Sequence, residues 1–195
     1  MRQSLLVVMI LWFGAIVGHA QSSTLITSTS AGRVKLGATV VQAQRVMKGY
    51  RFRRVSDGEG IALIEVTWHG RDIMTLYAGE EDPDAPINEK AKIEQIWVWD
   101  TRYRTASGIH PNMPVKNAEK ILGKVRLVFI SEIESREFAF FHQKTKGFMY
   151  RVGVNSEGRY MYAGAYPPGK REAIRCVPTA QIISVQISRD FDDWP

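Results

Sequence analysis

Two short amphipathic segments with the same apolar spacing lie 75 residues apart, and this repeat constrains the fold more than any other feature. Apolar residues at positions i, i+3, i+6 and i+7 share one face of a helix. The first stripe consists of Val40, Ala43, Val46 and Met47, and the second of Val115, Ala118, Ile121 and Leu122. Thr39 can cap the first helix, and Gly49 can end it. Pro114 can begin the second helix because its missing N–H is not needed there.

After each segment the apolar period changes to two, which is typical of half-buried strands. A hairpin is expected over 62–78, with its turn at 69–72, and a further strand over 93–99. In the second half, strands are expected over 125–133, 136–142, 148–154, 159–166 and 181–188. The last of these places Ile182, Val185 and Ile187 where the first half has Ile93, Ile96 and Val98, at an offset of 89. The second half therefore carries about 14 extra residues.

These patterns predict an α+β fold of two tandem modules, 33–100 and 101–190. Each module is expected to pack a short helix on an antiparallel β-sheet of three to five strands. A short tail, 191–195, follows the second module.

The N-terminal segment 1–20 is typical of a signal peptide. Arg2 precedes an apolar run over 5–17, and small residues end it before Gln21. Thirteen apolar residues are fewer than the ~20 that span a bilayer, so no transmembrane segment is expected. We expect cleavage after Ala20, export to the periplasm or beyond, and a flexible Ser/Thr-rich leader over 21–32.

Charge and cysteine content restrict the classes of function. The net charge of +6 is spread along the chain, whereas nucleic-acid binding needs a denser basic patch. Cys176 is the single cysteine, so no internal disulfide can form, and we expect a buried inert thiol. The expected partner is a protein or a component of the cell envelope.

The segment 109–125, IHPNMPVKNAEKILGKV, resembles a short signature of secreted bacterial α/β modules. The matching residues are Ile109, Met113, Val115, Leu122, Gly123 and Lys124, and Asn112 and Pro114 depart from the usual glycine and threonine. Small outer-membrane assembly lipoproteins of the SmpA/OmlA type look similar, as do the tandem-repeat β-lactamase inhibitory proteins. The resemblance implies helices on one face of an antiparallel sheet and a binding or scaffolding role.

Motifs for catalysis, metals or cofactors are not found. His69, His110 and His142 lie in separate segments without the close spacing of a metal site, and no cofactor is expected. The carboxylates Glu132 and Glu137, with Glu134 between them, are close enough in sequence to suggest sugar hydrolysis, and a cell-wall-acting enzyme is therefore the third possible function. Pairing with nearby basic residues is the simpler role for them.

An acidic loop and a set of aromatic residues are the candidate binding features. The acidic residues Glu80, Glu81, Asp82 and Asp84 form either a solvated hairpin tip or an inhibitory finger that enters a basic cleft. The aromatic set consists of Trp97, Trp99, Tyr160 and Tyr162. It forms either an exposed sheet face that binds a partner or a face buried between the halves. The leading expectation is a non-catalytic, envelope-associated binding protein that uses this face and its hairpin loops; an enzyme inhibitor is the alternative.

Overall fold

The computed structural model describes residues 24–132, 135–156 and 159–193. It shows a mixed α+β fold dominated by antiparallel sheet, as expected. The segment 1–20, assigned to a signal peptide, lies outside the described residues. None of the helices within them is long and apolar enough to cross a membrane.

The described part of the chain starts with three short strands, β1 (Leu25–Thr27), β2 (Ser30–Ala31) and β3 (Val34–Lys35). The expected flexible leader is therefore wrong for residues 24–32. Ile26 and Ala31 are buried in the main core, and this apolar burial orders the segment despite its Ser/Thr-rich composition.

The first helix, α1 (Val40–Val46), follows directly. The Thr39 side chain accepts a hydrogen bond from the backbone N–H of Gln42, and the Gln42 side chain accepts one from the backbone N–H of Thr39. This capping box confirms Thr39 as the helix start. Val40 and Ala43 are buried, but Val46 is 40% exposed, so the apolar stripe is only partly covered.

Four strands then form an antiparallel meander. They are β4 (Arg51–Ser56), β5 (Ala62–Trp68), β6 (Arg71–Tyr77) and β7 (Gln95–Val98). The expected hairpin and third strand are confirmed, and β4 was not predicted.

The second half begins with β8 (Arg104–Thr105) and α2 (Val115–Leu122). Gly123 ends α2 with a φ of 79°, a left-handed value that glycine adopts without strain. Ile121 is 38% exposed, matching the exposure of Val46 at the same place in the first stripe. The remaining strands are β9 (Val125–Ile130), β10 (Glu137–Phe141), β11 (Phe148–Ser156), β12 (Arg159–Met161), β13 (Glu172–Ala173) and β14 (Gln181–Ser188).

The strands of both halves join in one large antiparallel sheet instead of one sheet per module. Its order is β13-β9-β10-β11-β14-β7-β6-β5-β4, and β12 pairs with β11 outside this order. The last strands of the two halves, β7 and β14, pair at the centre, where Val98 lies opposite Val185. A small second sheet has the order β3-β2-β1-β8.

One core lies between the helices and the large sheet. Val40 of α1 and Val115 of α2 are buried with Ile96, Val98 and Val185 of the two central strands. The opposite sheet face carries a small second cluster in which Phe191 packs with Phe138 and Met149. Phe191 belongs to a 3-10 helix, Arg189–Asp193, so the expected tail at 191–195 is structured at its start.

Corresponding backbone hydrogen bonds hold the start of each helix to the last strand segment of its own half. In the first half they are Gly37 N to Ile93 O (2.7 Å), Ile93 N to Ala38 O (2.9 Å) and Val40 N to Ala91 O (3.0 Å). In the second half they are Asn112 N to Ile182 O (2.6 Å), Ile182 N to Met113 O (2.8 Å) and Val115 N to Ala180 O (2.9 Å). The donors and acceptors correspond at the offsets of 75 and 89 found in the sequence.

Candidate functional site

The sheet face opposite the helices carries the two tryptophans of the aromatic set. Trp97 is only 7% exposed and Trp99 is half-buried. The indole N–H of Trp99 donates to the Thr75 hydroxyl at 2.9 Å, and that of Trp97 donates to the Gln95 side chain at 3.2 Å. An exposed tryptophan platform is therefore wrong for Trp97, because its ring is buried.

Arginine side chains of the second half lie over both indoles. The guanidinium carbon of Arg136 is 4.9 Å from the ring centroid of Trp97, and that of Arg151 is 5.6 Å from the ring of Trp99. Both distances are in the cation–π range. Each of the two indoles therefore has a guanidinium group packed against its ring.

Arg136 also ties the two halves together. It lies 3.5 Å from the carboxylate of Asp57, whose side chain is 2% exposed. Asp57 in turn accepts hydrogen bonds from the backbone N–H groups of Glu59 and Ile61, which fixes the turn between β4 and β5. Arg136 is consequently held in position by the carboxylate of Asp57 and by the indole ring of Trp97.

A cavity of about 200 Å³ lies beside these arginines. Arg136 and Arg151 line it together with Met161 and Tyr162, each of which is 58% exposed. The side chain of Tyr160, the remaining member of the aromatic set, is not among those the structure describes. Tyr162 is thus the member of the set that is strongly exposed.

Met161 and Tyr162 lie at the start of a hairpin formed by residues 161–177. Its arms are joined by backbone hydrogen bonds from Ala165 to Arg175 (3.0 Å) and from Val177 to Ala163 (2.7 Å). Arg171 near its turn donates to the Ser131 carbonyl at 2.7 Å, which ties the hairpin to the end of β9. We refer to residues 161–177 as the insertion hairpin.

A buried carboxylate attaches the insertion hairpin to the large sheet. Glu137 accepts hydrogen bonds from the backbone N–H groups of Ala163 (2.6 Å) and Gly164 (2.8 Å) and from the Tyr166 hydroxyl (2.7 Å). A Cβ at Gly164 would lie 2.3 Å from the Tyr166 ring, so any larger residue there would displace the ring from Glu137. Burial and the hydrogen bond to Glu137 raise the pKa of Tyr166. The three hydrogen bonds to Glu137 therefore hold the hairpin rigidly on the sheet.

Apolar and basic side chains share the outer surface of the insertion hairpin. Ile174 is 77% exposed, and the basic residues Lys170, Arg171 and Arg175 surround it in sequence and are also exposed. Elsewhere among the described residues, the exposed large apolar side chains are Val46 and Ile121 on the helices. The apolar periodicity of the sequence did not predict this surface.

Cys176 lies at the base of the insertion hairpin, where Gly164 and Cys176 form an isolated bridge. Burial, with a smaller contribution from the nearby Glu137 carboxylate, raises the pKa of its thiol to about 12. The thiol is protonated at neutral pH, which makes it a poor nucleophile.

The acidic loop has a defined conformation. The carboxylate of Glu80 lies 2.7 Å from the guanidinium of Arg54, and its other oxygen accepts from the Asn88 backbone at 3.2 Å. Arg54 also donates to the carbonyl of Ala85 at 3.2 Å. The remaining loop acids Glu81, Asp82 and Asp84 are exposed.

The candidate catalytic residues are not brought together. The ring of His69 packs edge-on against Trp68, at 4.4 Å between centroids, and His110 Nδ1 lies 2.7 Å from the carbonyl of Pro111. The buried carboxylate of Glu137 is hydrogen-bonded to the insertion hairpin, whereas Glu132 is exposed. Glu134 lies outside the described residues. Within the part of the chain that the structure describes, no group of three His, Cys, Asp or Glu residues could hold a metal ion.

Comparisons with known proteins inform the fold. No family model matches the sequence, and no curated protein matches it. Among solved structures, the chain is similar to the crystal structure of the uncharacterized protein yfeY from Escherichia coli. The TM-score is 0.56 at 14% sequence identity, and the match covers 85% of this chain and 100% of that chain. At this identity the likeness shows a shared fold and nothing about activity.

Proposed function

We propose that this chain is an exported, non-catalytic binding protein that docks on an anionic surface of the cell envelope through the insertion hairpin. The observation that carries the proposal is the joint exposure of Met161, Tyr162 and Ile174 on a segment that also carries Lys170 and Arg175. Apolar side chains that enter a lipid interface, flanked by cations that attract anionic headgroups, are the usual chemistry of peripheral membrane binding.

The rigid attachment of the hairpin supports this role. Glu137 and Arg171 fix it at two places before any partner is bound. A surface that is already ordered loses less conformational entropy on binding than a flexible loop does.

Export and tandem organisation belong to the same proposal. The signal-peptide pattern over 1–20 would deliver the chain to the envelope. The corresponding hydrogen bonds at both helix starts support two modules of common origin, 33–100 and 101–190, fused through β7 and β14.

Vesicle sedimentation tests the proposal. The purified protein should sediment with phosphatidylglycerol vesicles and not with phosphatidylcholine vesicles. Burial of one isoleucine is worth about 1.5–3 kcal/mol, so Ile174→Ser should weaken binding about tenfold or more. Each surface cation contributes about 1 kcal/mol, and Lys170→Gln with Arg175→Gln should weaken it further.

Val46→Ser is the matched control, since Val46 is an exposed apolar residue on α1. It should leave vesicle binding unchanged. Equal sedimentation with neutral vesicles, or equal effects of Ile174→Ser and Val46→Ser, would contradict docking through the hairpin.

Inhibition of a secreted enzyme is the second candidate function, and the preformed acidic loop favours it. Arg54 holds the loop from inside, while Glu81, Asp82 and Asp84 point to solvent. The resemblance to β-lactamase inhibitory proteins makes β-lactamase the first target to assay. Inhibition that is lost when all three acids are neutralised would support this role, and an unaltered hydrolysis rate with the wild-type chain would remove it for that target.

A further inference from the structure

A cavity lies where β10 and β11 diverge, and it is a second candidate binding site on the large sheet. These strands pair only where Glu137–Ala139 face Val152–Tyr150, and beyond this point they diverge toward the loop 142–147 that joins them. The separation leaves a cavity of about 150 Å³. None of the residues lining it lines the cavity beside Arg136 and Arg151.

A β-bulge directs an arginine to this cavity. Phe140 pairs with Leu127 and Phe141 with Val125, so Arg126 of β9 is an extra residue without a partner in the register. A bulge of this kind turns its side chain away from the direction that the regular alternation would give. Arg126 lines the cavity as a result.

The guanidinium of Arg126 is not fully hydrogen-bonded within the described part of the protein. Its Nε is buried and has no hydrogen-bond partner among the described residues. A carboxylate can instead accept from the two terminal nitrogens of a guanidinium together, through two parallel hydrogen bonds. The side chain is therefore suited to a two-oxygen anion.

The remaining walls combine aromatic rings with further cations. Phe140, Phe148 and Tyr150 provide apolar surface, and Lys144 and Lys146 stand at the loop. The Tyr150 hydroxyl is hydrogen-bonded to the Thr145 side chain. None of the described lining residues is acidic, so the local charge is positive.

We propose that this cavity binds a small organic anion, a carboxylate on an apolar body about the size of a benzene ring. Cavities of about 150 Å³ with apolar walls accept benzene. Arg126 binds the carboxylate in the two-pronged geometry, the rings contact the apolar body, and Lys144 and Lys146 add attraction at the entrance. The site is separate from the envelope-docking surface and does not depend on it.

Calorimetric titration of the purified protein with benzoate tests the site. A ligand of this size should bind with a Kd of about 1 mM or tighter. Benzamide has the same shape without the charge and should bind at least about tenfold more weakly. Absence of saturable benzoate binding, or equal binding of benzamide, would overturn the proposal.

Arginine variants locate the binding on the protein. Arg126→Gln should weaken benzoate at least about tenfold, and the double variant Lys144→Gln with Lys146→Gln should weaken it a few-fold and reduce its salt dependence. Arg51→Gln, on the edge strand at the opposite end of the sheet, is the matched control and should bind like the wild type. If Arg126→Gln and the lysine variant, both folded by circular dichroism, bind benzoate with wild-type affinity, the assignment of the cavity is wrong.

Discussion

Replacement of Glu137 should detach the insertion hairpin without unfolding the large sheet. Its carboxylate satisfies the buried N–H groups of Ala163 and Gly164 and the hydroxyl of Tyr166. A buried donor without its acceptor is worth about 1–3 kcal/mol, so Glu137→Ala should destabilise hairpin docking by about 3–6 kcal/mol. Glu137→Gln keeps one acceptor oxygen but turns an NH₂ group toward a donor, and should cost about 2–3 kcal/mol. These values are smaller than the whole stability of most domains, about 5–15 kcal/mol, so the hairpin should detach locally before the large sheet unfolds.

Hydrogen exchange combined with urea unfolding measures this effect. The amides of Ala163, Gly164 and Val177 should lose protection in Glu137→Gln, while amides of β5 and β6 keep theirs. Glu172→Gln, an exposed glutamate in the same hairpin, is the control. If Glu137→Gln lowers the free energy of unfolding by less than about 0.5 kcal/mol and leaves the exchange of Ala163 unchanged, the carboxylate does not hold the hairpin.

Three further results are expected. Thr39→Ala removes the capping box of α1 and should lower the free energy of unfolding by about 1 kcal/mol, measured in urea, whereas Thr39→Ser should retain most of it. Arg136→Met removes the cation over Trp97 and leaves a buried acid unpaired; we expect a loss of about 2–4 kcal/mol and a changed tryptophan emission spectrum, and an unchanged spectrum would contradict the stacking. The pKa of Cys176 is raised to about 12 from 9.0, so the thiol stays protonated to a higher pH in the folded state than in the unfolded state. Stability should fall as pH rises above about 9, and Cys176→Ala should flatten this fall in urea titrations between pH 8 and 10.

Local signals predicted much of the fold. The capping box at Thr39, the stop at Gly123 and the alternation of 62–78 each depend on neighbours within a few residues, and each was found where expected. The joining of both halves into one sheet depends on the pairing of Val98 with Val185, and no local pattern carries that information. The ordering of residues 24–32 likewise depends on burial of Ile26 by distant parts of the chain.

The candidate site was harder to predict. Alternation correctly separated Trp97 from Ile96 and Val98, but it could not show that Arg136 covers the indole, since that contact joins different strands. Exposure of Ile174 was missed because a single isoleucine between basic residues has no periodicity. The bulge at Arg126 arises from the pairing of two strands and is invisible in either strand alone.

The central pairing of β7 with β14 also keeps these two strands from pairing with strands of other molecules. β7 has four residues and β14 has eight, and their apolar residues Ile96, Val98, Val185 and Ile187 are fully buried. If the second half were absent or late in folding, β7 would offer an unpaired apolar edge, which readily accepts a strand from another molecule. The edges that remain are β4, rich in arginine, and β13, only two residues long. The strands that would pair most readily with another molecule therefore lie at the centre of the large sheet, and the strands at its edges are the ones that pair least readily.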